Sequence, residues 1–208
     1  MRGHSRPASW KGRNNSMKKS SIVALSIVGV LVILIVGVVG WGISANNRFV
    51  ELEETAASAK SDIDTVLQRR ADLIPNLVAT VKGYAQHEEE VINAVSDARA
   101  KLAGASTTED KLAANDELSS ALSRLLVVVE NYPDLKASQN FIDLQTQLEG
   151  TENRIARSRQ EYNDAVREYN AAIRKFPGSL IAGMQGFEKM EFFEAADGTD
   201  TPPTVDFD

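Results

Sequence analysis

The sequence predicts an all-α protein, an elongated antiparallel helical bundle of three to four long helices that follows one N-terminal transmembrane helix. Three observations lead to this prediction. Residues 20–47 contain no charged side chain. After them, apolar residues recur every three or four positions, as on the buried face of a helix, and no alternating strand pattern competes. Glycine, proline and serine interrupt the pattern at intervals that suit long helices.

The apolar core of the uncharged stretch, Ile22 to Ile43, is 22 residues long, and 15 of them are Ile, Leu or Val. A helix of that length spans about 33 Å, enough for a hydrocarbon core of about 30 Å. A cleaved signal peptide would carry a shorter apolar stretch followed by small residues at the cleavage site. Here Ala45 has Ile43 two places before it. We therefore predict an uncleaved transmembrane helix over residues 20–45.

The charges that flank this helix predict its orientation. Six basic residues and no acid precede it, whereas Arg48 alone follows it closely. Because basic flanks tend to stay in the cytoplasm, residues 1–19 form a predicted cytoplasmic tail, and the rest of the chain is predicted to be extracytoplasmic. Met17-Lys18-Lys19 also has the form of a translation start, which leaves open whether residues 1–16 are translated natively. Lys18 and Lys19 alone predict the same orientation.

Small residues fall near one face of the predicted transmembrane helix, with Ile33 interrupting them: Ser26, Gly29, Gly37, Gly40 and Ser44. Such residues let two membrane helices approach closely, so they are candidates for packing in a homo-oligomer or against another membrane protein. The alternative is that glycine is simply frequent in membrane helices.

Residues 46–194 are predicted to form the bundle, because four apolar stripes occur there at helical spacing. Each stripe is too narrow to be stable alone and must be buried against the others. The stripes run from Phe49 to Val66, from Leu77 to Leu102, from Leu118 to Val129 and from Phe141 to Phe176.

Turn-forming residues place the helix ends. Gly104 to Thr108 separate the second and third helices, Pro133 and Asp134 suit the first turn of the fourth, and Pro177-Gly178 end it. A short amphipathic piece, Leu180 to Phe187, follows. Residues 195–208 are acidic and contain proline, which is typical of a disordered tail.

Pro75 allows two interpretations. With Asp72 as N-cap, it suits the first turn of a new helix antiparallel to the first, which is the interpretation that we favour. Alternatively, it kinks one continuous helix.

No residues point to a catalytic, cofactor or metal site, and the predicted protein is not an enzyme. The chain has no Cys, and the His87 to Glu90 run is better explained as a solvated helix face than as a cation site. From Phe49 onward, 16 basic residues oppose 29 acids, a net charge of −13. Such a charge repels phosphate and disfavours nucleic acid as a partner.

Polar residues interrupt the apolar stripes. Arg70 lies on the first stripe, Glu152 lies on the fourth, and Asn153, Asn163 and Asn170 recur on the fourth helix. We predict that Arg69 or Arg70 pairs with Glu152 across the bundle in a structural role, because a buried ion pair persists only with good geometry. The alternative is that Glu152 faces water.

Several of these segments resemble the LemA family, over roughly residues 45–194. The resemblance is carried by Arg69-Arg70-Ala71-Asp72-Leu73-Ile74-Pro75-Asn76-Leu77-Val78, Tyr132-Pro133-Asp134-Leu135-Lys136-Ala137, Thr151-Glu152-Asn153-Arg154-Ile155-Ala156, the pairs Tyr162-Asn163 and Tyr169-Asn170, and Phe176-Pro177. It implies a single-span bacterial or archaeal membrane protein with an extended helical bundle and no established enzymatic activity or cofactor. The basic N-terminal extension and the acidic tail depart from the family pattern.

The resulting hypothesis is a single-pass, non-catalytic interaction or scaffold module at the cell envelope. Its expected partners are the membrane, a second copy of itself or another membrane protein. The alternative hypothesis is an extracytoplasmic ligand-sensing bundle that signals through a separate membrane partner, because bundles can hold small ligands between their helices.

Overall fold

The computed structural model describes residues 14–193, with side chains from residue 21 onward, and confirms the predicted all-α class. The described residues form six helices and no strand. The chain divides into two compact units at the boundary between Arg48 and Phe49. The helices are α1 (Asn14–Tyr84), α2 (Glu89–Gly104), α3 (Thr108–Val129), α4 (Pro133–Lys136), α5 (Gln139–Arg174) and α6 (Gly178–Gln185).

The first unit contains the apolar part of α1. Among the described residues, α1 is the one helix long and apolar enough to cross a membrane, with a mean hydropathy of 3.3 over 18 residues, none of them buried. Between Ile22 and Ile43, the Ile, Leu and Val side chains are exposed all round the helix, which suits a segment surrounded by lipid rather than by protein. The helix supports a membrane location for the chain.

The second unit is the helical bundle. Lys60 and Arg70 of α1 contact Glu109 and Asn115 of α3, so these two helices run in the same direction. Arg99 of α2 reaches back to the Ala71 carbonyl, so α2 returns antiparallel to α1. The long helix α5 is also antiparallel to α1. Its Glu152 contacts Arg70, and Gly178 beyond its end packs against Phe49.

The core of the bundle is built from the predicted stripes. Each of the four long helices buries the apolar residues that recur at three- and four-residue spacing, and most of the polar residues between them face water. The largest side chains in this core that are almost completely buried include Ile63, Leu67, Ile74, Val81, Ile92, Val95, Leu118, Leu125, Phe141, Ile155 and Tyr169.

Pro75 does not start a new helix, so the favoured interpretation was wrong: α1 is continuous through it. A proline removes the hydrogen bond to the carbonyl four residues earlier, here that of Ala71. That carbonyl instead accepts a hydrogen bond from Nε of Arg99 at 3.4 Å. The buried residues Ile74 and Leu77 flank the proline, so the bundle core also holds this part of the helix in place.

The second helix begins instead at Glu89, after a turn over residues 85–88 that contains neither glycine nor proline. His87 therefore lies in a connection and not on a helix. The predicted fourth helix is also divided, because α4 ends at Lys136 and α5 begins at Gln139. The basic tail up to residue 13 and the acidic tail over residues 195–208 lie outside the described residues.

Candidate functional site

A polar cluster crosses the middle of the bundle core. It consists of Arg70 on α1, Asn115 and Ser119 on α3, and Glu152 on α5. Nη1 of Arg70 donates to Oδ1 of Asn115 at 2.7 Å and to Oε2 of Glu152, and Nη2 donates to the Ser119 hydroxyl at 3.1 Å. The cluster therefore links three long helices, α1, α3 and α5.

Arg70 is 4% exposed, whereas the Glu152 side chain is 49% exposed. Burial lowers the pKa of Arg70 to about 10, against the opposing effect of the Asp116 carboxylate. The guanidinium therefore stays protonated at neutral pH. Its Nε is buried with no hydrogen-bond partner among the described residues. A buried cation that is incompletely paired costs folding free energy, so its other contacts must compensate.

Next to this cluster lies an amphipathic groove with a volume of about 260 Å³. Its floor is apolar, with side chains from all three helices, and its rim is polar or acidic. Arg70, Ser119 and Glu152 of the polar cluster line one part of it. The other lining residues are Leu77, Leu122, Ser123, Leu125, Leu126, Phe141, Gln145, Leu148 and Glu149.

The groove can accept an apolar side chain because leucines and Phe141 form its floor. Gln145 donates to Glu149 at 3.0 Å on its rim. Glu152 is already paired with Arg70, which leaves the Glu149 carboxylate as the uncompensated charge of the lining. The site therefore favours a ligand that carries a basic group beside an apolar one.

A second polar arrangement holds the segment of residues 187–193, the C-terminal segment, along α5. The amide of Asn170 donates to the Met190 carbonyl and accepts from the Met190 N–H, both at 2.9 Å. Asn163 makes the same pair of bonds with Phe193, again at 2.9 Å. Each asparagine thus pairs with the main chain as a neighbouring strand would.

Two tyrosines complete this arrangement, which we call the ladder: Tyr162, Asn163, Tyr169 and Asn170. The Tyr169 hydroxyl donates to the Glu188 carbonyl at 2.9 Å, and the Tyr162 hydroxyl donates to the Glu191 carbonyl at 3.1 Å, both within the C-terminal segment. Burial raises the pKa of both hydroxyls, so they remain protonated donors. The Tyr162 and Phe193 rings also lie 4.5 Å apart.

Of the predicted ion-pair residues, the structure brings Arg70 and Glu152 together and leaves Arg69 on the surface. The function of the pair stays a prediction.

Of the predicted asparagines, Asn153 is exposed, whereas Asn163 and Asn170 are part of the ladder. Sequence reasoning noted that these asparagines recur but missed their role. The signal that could have revealed it is the seven-residue repeat of a Tyr-Asn pair.

The predicted membrane-packing residues all lie on the described part of α1. Ser26 donates its hydroxyl to the Ile22 carbonyl at 2.9 Å, within its own helix. A Cβ added at Gly29, Gly37 or Gly40 would meet nothing within 4 Å in this single chain. Their role in self-association stays a prediction.

Among residues 21–193, no group of three or more His, Cys, Asp or Glu side chains could hold a metal ion.

Comparison with known proteins places these features in a family. The model of the LemA family matches residues 59–207. The magnetosome protein MamQ of Magnetospirillum gryphiswaldense is 30% identical over 182 residues, which cover 75% of this chain and 67% of that protein. MamQ 2 of Paramagnetospirillum magneticum is 27% identical, covering 88% and 76%. The protein LemA of Metamycoplasma hominis is 22% identical, covering 74% and 71%.

Proposed function

The chain belongs to the LemA family, and we propose that it is a non-catalytic interaction module that the membrane anchor holds at the cell envelope. In this proposal the bundle docks a partner protein in the amphipathic groove. The single observation that carries the proposal is the composition of that groove, an apolar floor from three helices beneath an acidic rim. Concave apolar sites with a few fixed polar groups are where proteins bind ligands and partner side chains.

Exposure supports the proposal. Leu126 lines the groove and is exposed, although neighbouring leucines of α3 are buried in the core. Ile142 is an exposed apolar residue adjacent in sequence to the lining residue Phe141. Apolar side chains grouped near a groove mark an interaction surface more often than scattered ones do.

The charge of the bundle supports a partner of opposite sign. Residues 49–193 contain 16 basic and 24 acidic residues, a net charge of −8. Such a surface attracts a basic segment and repels an acidic one, which raises the rate of encounter with the former. We therefore propose an amphipathic partner segment with apolar side chains for the floor and a basic residue for Glu149.

Three further parts of the proposal follow from the sequence. The basic residues before the anchor support a cytoplasmic N-terminus and an extracytoplasmic bundle. Residues 20–45 serve as the transmembrane helix and residues 46–194 as the bundle. The stripe from Ser26 to Ser44 packs against a second copy or another membrane protein.

Site-specific photocrosslinking in native membranes tests the docking. A photoreactive phenylalanine analogue replaces Leu126 in the full chain, and a matched variant carries it at Val127. Both positions are exposed and adjacent, but Leu126 lines the groove and Val127 does not. We expect one discrete adduct from position 126 and little or none from position 127.

A second substitution sharpens the experiment. Glu149→Lys reverses the charge on the rim, so the position-126 adduct should decline because the basic partner is now repelled. Mass spectrometry of the adduct should identify a segment with a basic residue beside apolar ones. Equal adducts from both positions, or an adduct that Glu149→Lys leaves unchanged, would contradict docking in the groove.

A further inference from the structure

Three large apolar side chains are exposed at one end of the bundle. Phe176 is 81% exposed, Leu180 is 60% exposed and Met184 is 82% exposed. Leu180 and Met184 lie four residues apart and therefore share one face of α6, and Phe176 lies just before the helix. We call these three residues the α6 face. Ala182 is buried against the bundle, so α6 is apolar on its covered side as well as on its open side.

The α6 helix is firmly attached to the first residue of the bundle. A Cβ added at Gly178 would lie 3.0 Å from the ring of Phe49, so only glycine allows this approach without displacing the ring. At the other end, Gly186 has a φ of 80° and ends the helix. The ring of the next residue, Phe187, packs edge-on against the ring of Phe49, with 5.4 Å between the two ring centroids. Both ends of α6 therefore contact Phe49.

Phe49 is itself tethered to the apolar segment by a short length of chain. Phe49 is the sixth residue after Ile43, the last large apolar residue of that segment. Six residues span at most about 20 Å even when fully extended. The length of the chain therefore limits how far Phe49, and with it α6, can lie from the apolar segment.

We propose that the α6 face inserts into the interfacial layer of the same bilayer that holds the anchor. Large apolar side chains on a short helix gain free energy when they enter the boundary between headgroups and acyl chains. The exposed cations Arg174 and Lys175 precede Phe176 directly and suit anionic headgroups. The inference depends on membrane anchorage and not on docking in the groove.

Fluorescence of the full chain in lipid vesicles tests the inference. The natural sequence has no cysteine, so Met184→Cys provides a single site for an environment-sensitive NBD label. Val127→Cys is the matched control because Val127 is 71% exposed. Val127 lies on α3 near Tyr132, whose hydroxyl donates a hydrogen bond to Glu88 just past the end of α1. That end of α1 is about 50 Å along the helix from Phe49.

We expect the label at position 184 to emit at shorter wavelength than the label at position 127. We also expect vesicles of nitroxide-labelled lipid to quench position 184 severalfold more strongly. Leu180→Cys provides a second label on the same face and should behave like position 184. Flotation of each labelled protein with the vesicles establishes the anchor separately, and loss of flotation would overturn the proposal at its premise.

Two other outcomes would overturn it. Identical emission and quenching at positions 184 and 127 would mean that the α6 face remains in water. A blue-shifted label at position 184 that nitroxide lipids do not quench would mean that protein covers this face. A second copy of the chain would then be the occupant if the shift disappeared on dilution of the protein in the vesicles.

Discussion

The polar cluster and the ladder both place polar groups inside the bundle, but the hydrogen bonds of these groups go to different kinds of partner. In the polar cluster, side chains bond side chains across three helices. In the ladder, side chains of α5 bond the main chain of the C-terminal segment. The comparison shows which positions can become apolar. A network of side chains can be replaced as a set, whereas main-chain groups remain polar whatever residue carries them.

The largest effect is expected from Arg70→Met, which removes the partner of the buried Asn115 amide. We expect a loss of about 3 kcal/mol in the free energy of unfolding, because a buried polar group is left unpaired. Adding Asn115→Leu should restore about 1–2 kcal/mol, since both positions are then apolar. Urea denaturation of the full chain in detergent, followed by circular dichroism, measures both values.

The control for this cycle is Arg69→Met. Arg69 is adjacent but exposed, so its replacement should change the free energy of unfolding by no more than about 0.5 kcal/mol. If the losses from Arg70→Met and Asn115→Leu simply add, the two residues are not coupled and the contrast with the ladder is wrong.

The next effect tests the ladder. Asn170→Leu has nearly the same volume but leaves the Met190 N–H and carbonyl without their partners. We expect a loss of about 2 kcal/mol and no apolar substitution at Met190 that restores it, because main-chain groups are involved. Hydrogen exchange at residues 188–193 should accelerate in this variant. Asn153→Leu, at an exposed position of the same helix, should leave that exchange unchanged.

A smaller effect is expected from the tyrosines. Tyr169→Phe removes one hydrogen bond to the Glu188 carbonyl and should cost about 1 kcal/mol. Burial, with lesser effects of Glu53 and Glu188, raises the pKa of Tyr169. The contribution of the Tyr169 hydroxyl to the free energy of unfolding is therefore complete below about pH 10, the ordinary tyrosine pKa. It is lost as the pH rises through the higher pKa that this group has in the folded protein. Denaturation from pH 8 upward should show an alkaline decline that is weaker in the variant.

The smallest effect concerns an exposed ion pair outside both arrangements. A hydrogen bond from Lys60 lowers the pKa of Glu109, and the two groups lie 2.9 Å apart. The stability from Glu109 is therefore present above its ordinary pKa and lost as the pH falls through the lower value in the folded protein. Glu109→Gln should cost no more than about 0.5 kcal/mol at pH 7, with a smaller difference at pH 3. A loss as large as that of Asn170→Leu would place this surface pair on a par with the ladder.

The fold class was predictable because spacing alone specifies it. A stripe such as Leu118, Leu122 and Leu125 fits one helical face, and the structure buries it. The contact between Arg70 and Glu152 could be considered from the sequence because a charge on an apolar stripe needs a partner. The choice between Arg69 and Arg70 depends on which face of α1 meets α5, and that requires tertiary packing.

Other features could not be predicted because their causes lie far away in the chain. Pro75 stays within α1, and the carbonyl that it frees accepts from Arg99, 28 residues after Ala71. The turn over residues 85–88 contains no turn-forming residue to announce it. The groove combines side chains from three helices, so no single stretch of sequence contains its pattern.

The ladder also has a geometric consequence. Asn163 and Asn170 are seven helical residues apart, about 10.5 Å, and their partners Phe193 and Met190 are three residues apart, about 10 Å in an extended chain. The spacing of the two asparagines therefore fixes the number of residues between the bonded positions of the segment, but not which residues they are. Inserting one residue between positions 190 and 193 would break the match. The outward side chains of Glu188, Glu191 and Phe192 are open to replacement, which makes them suitable positions for grafting a reporter epitope.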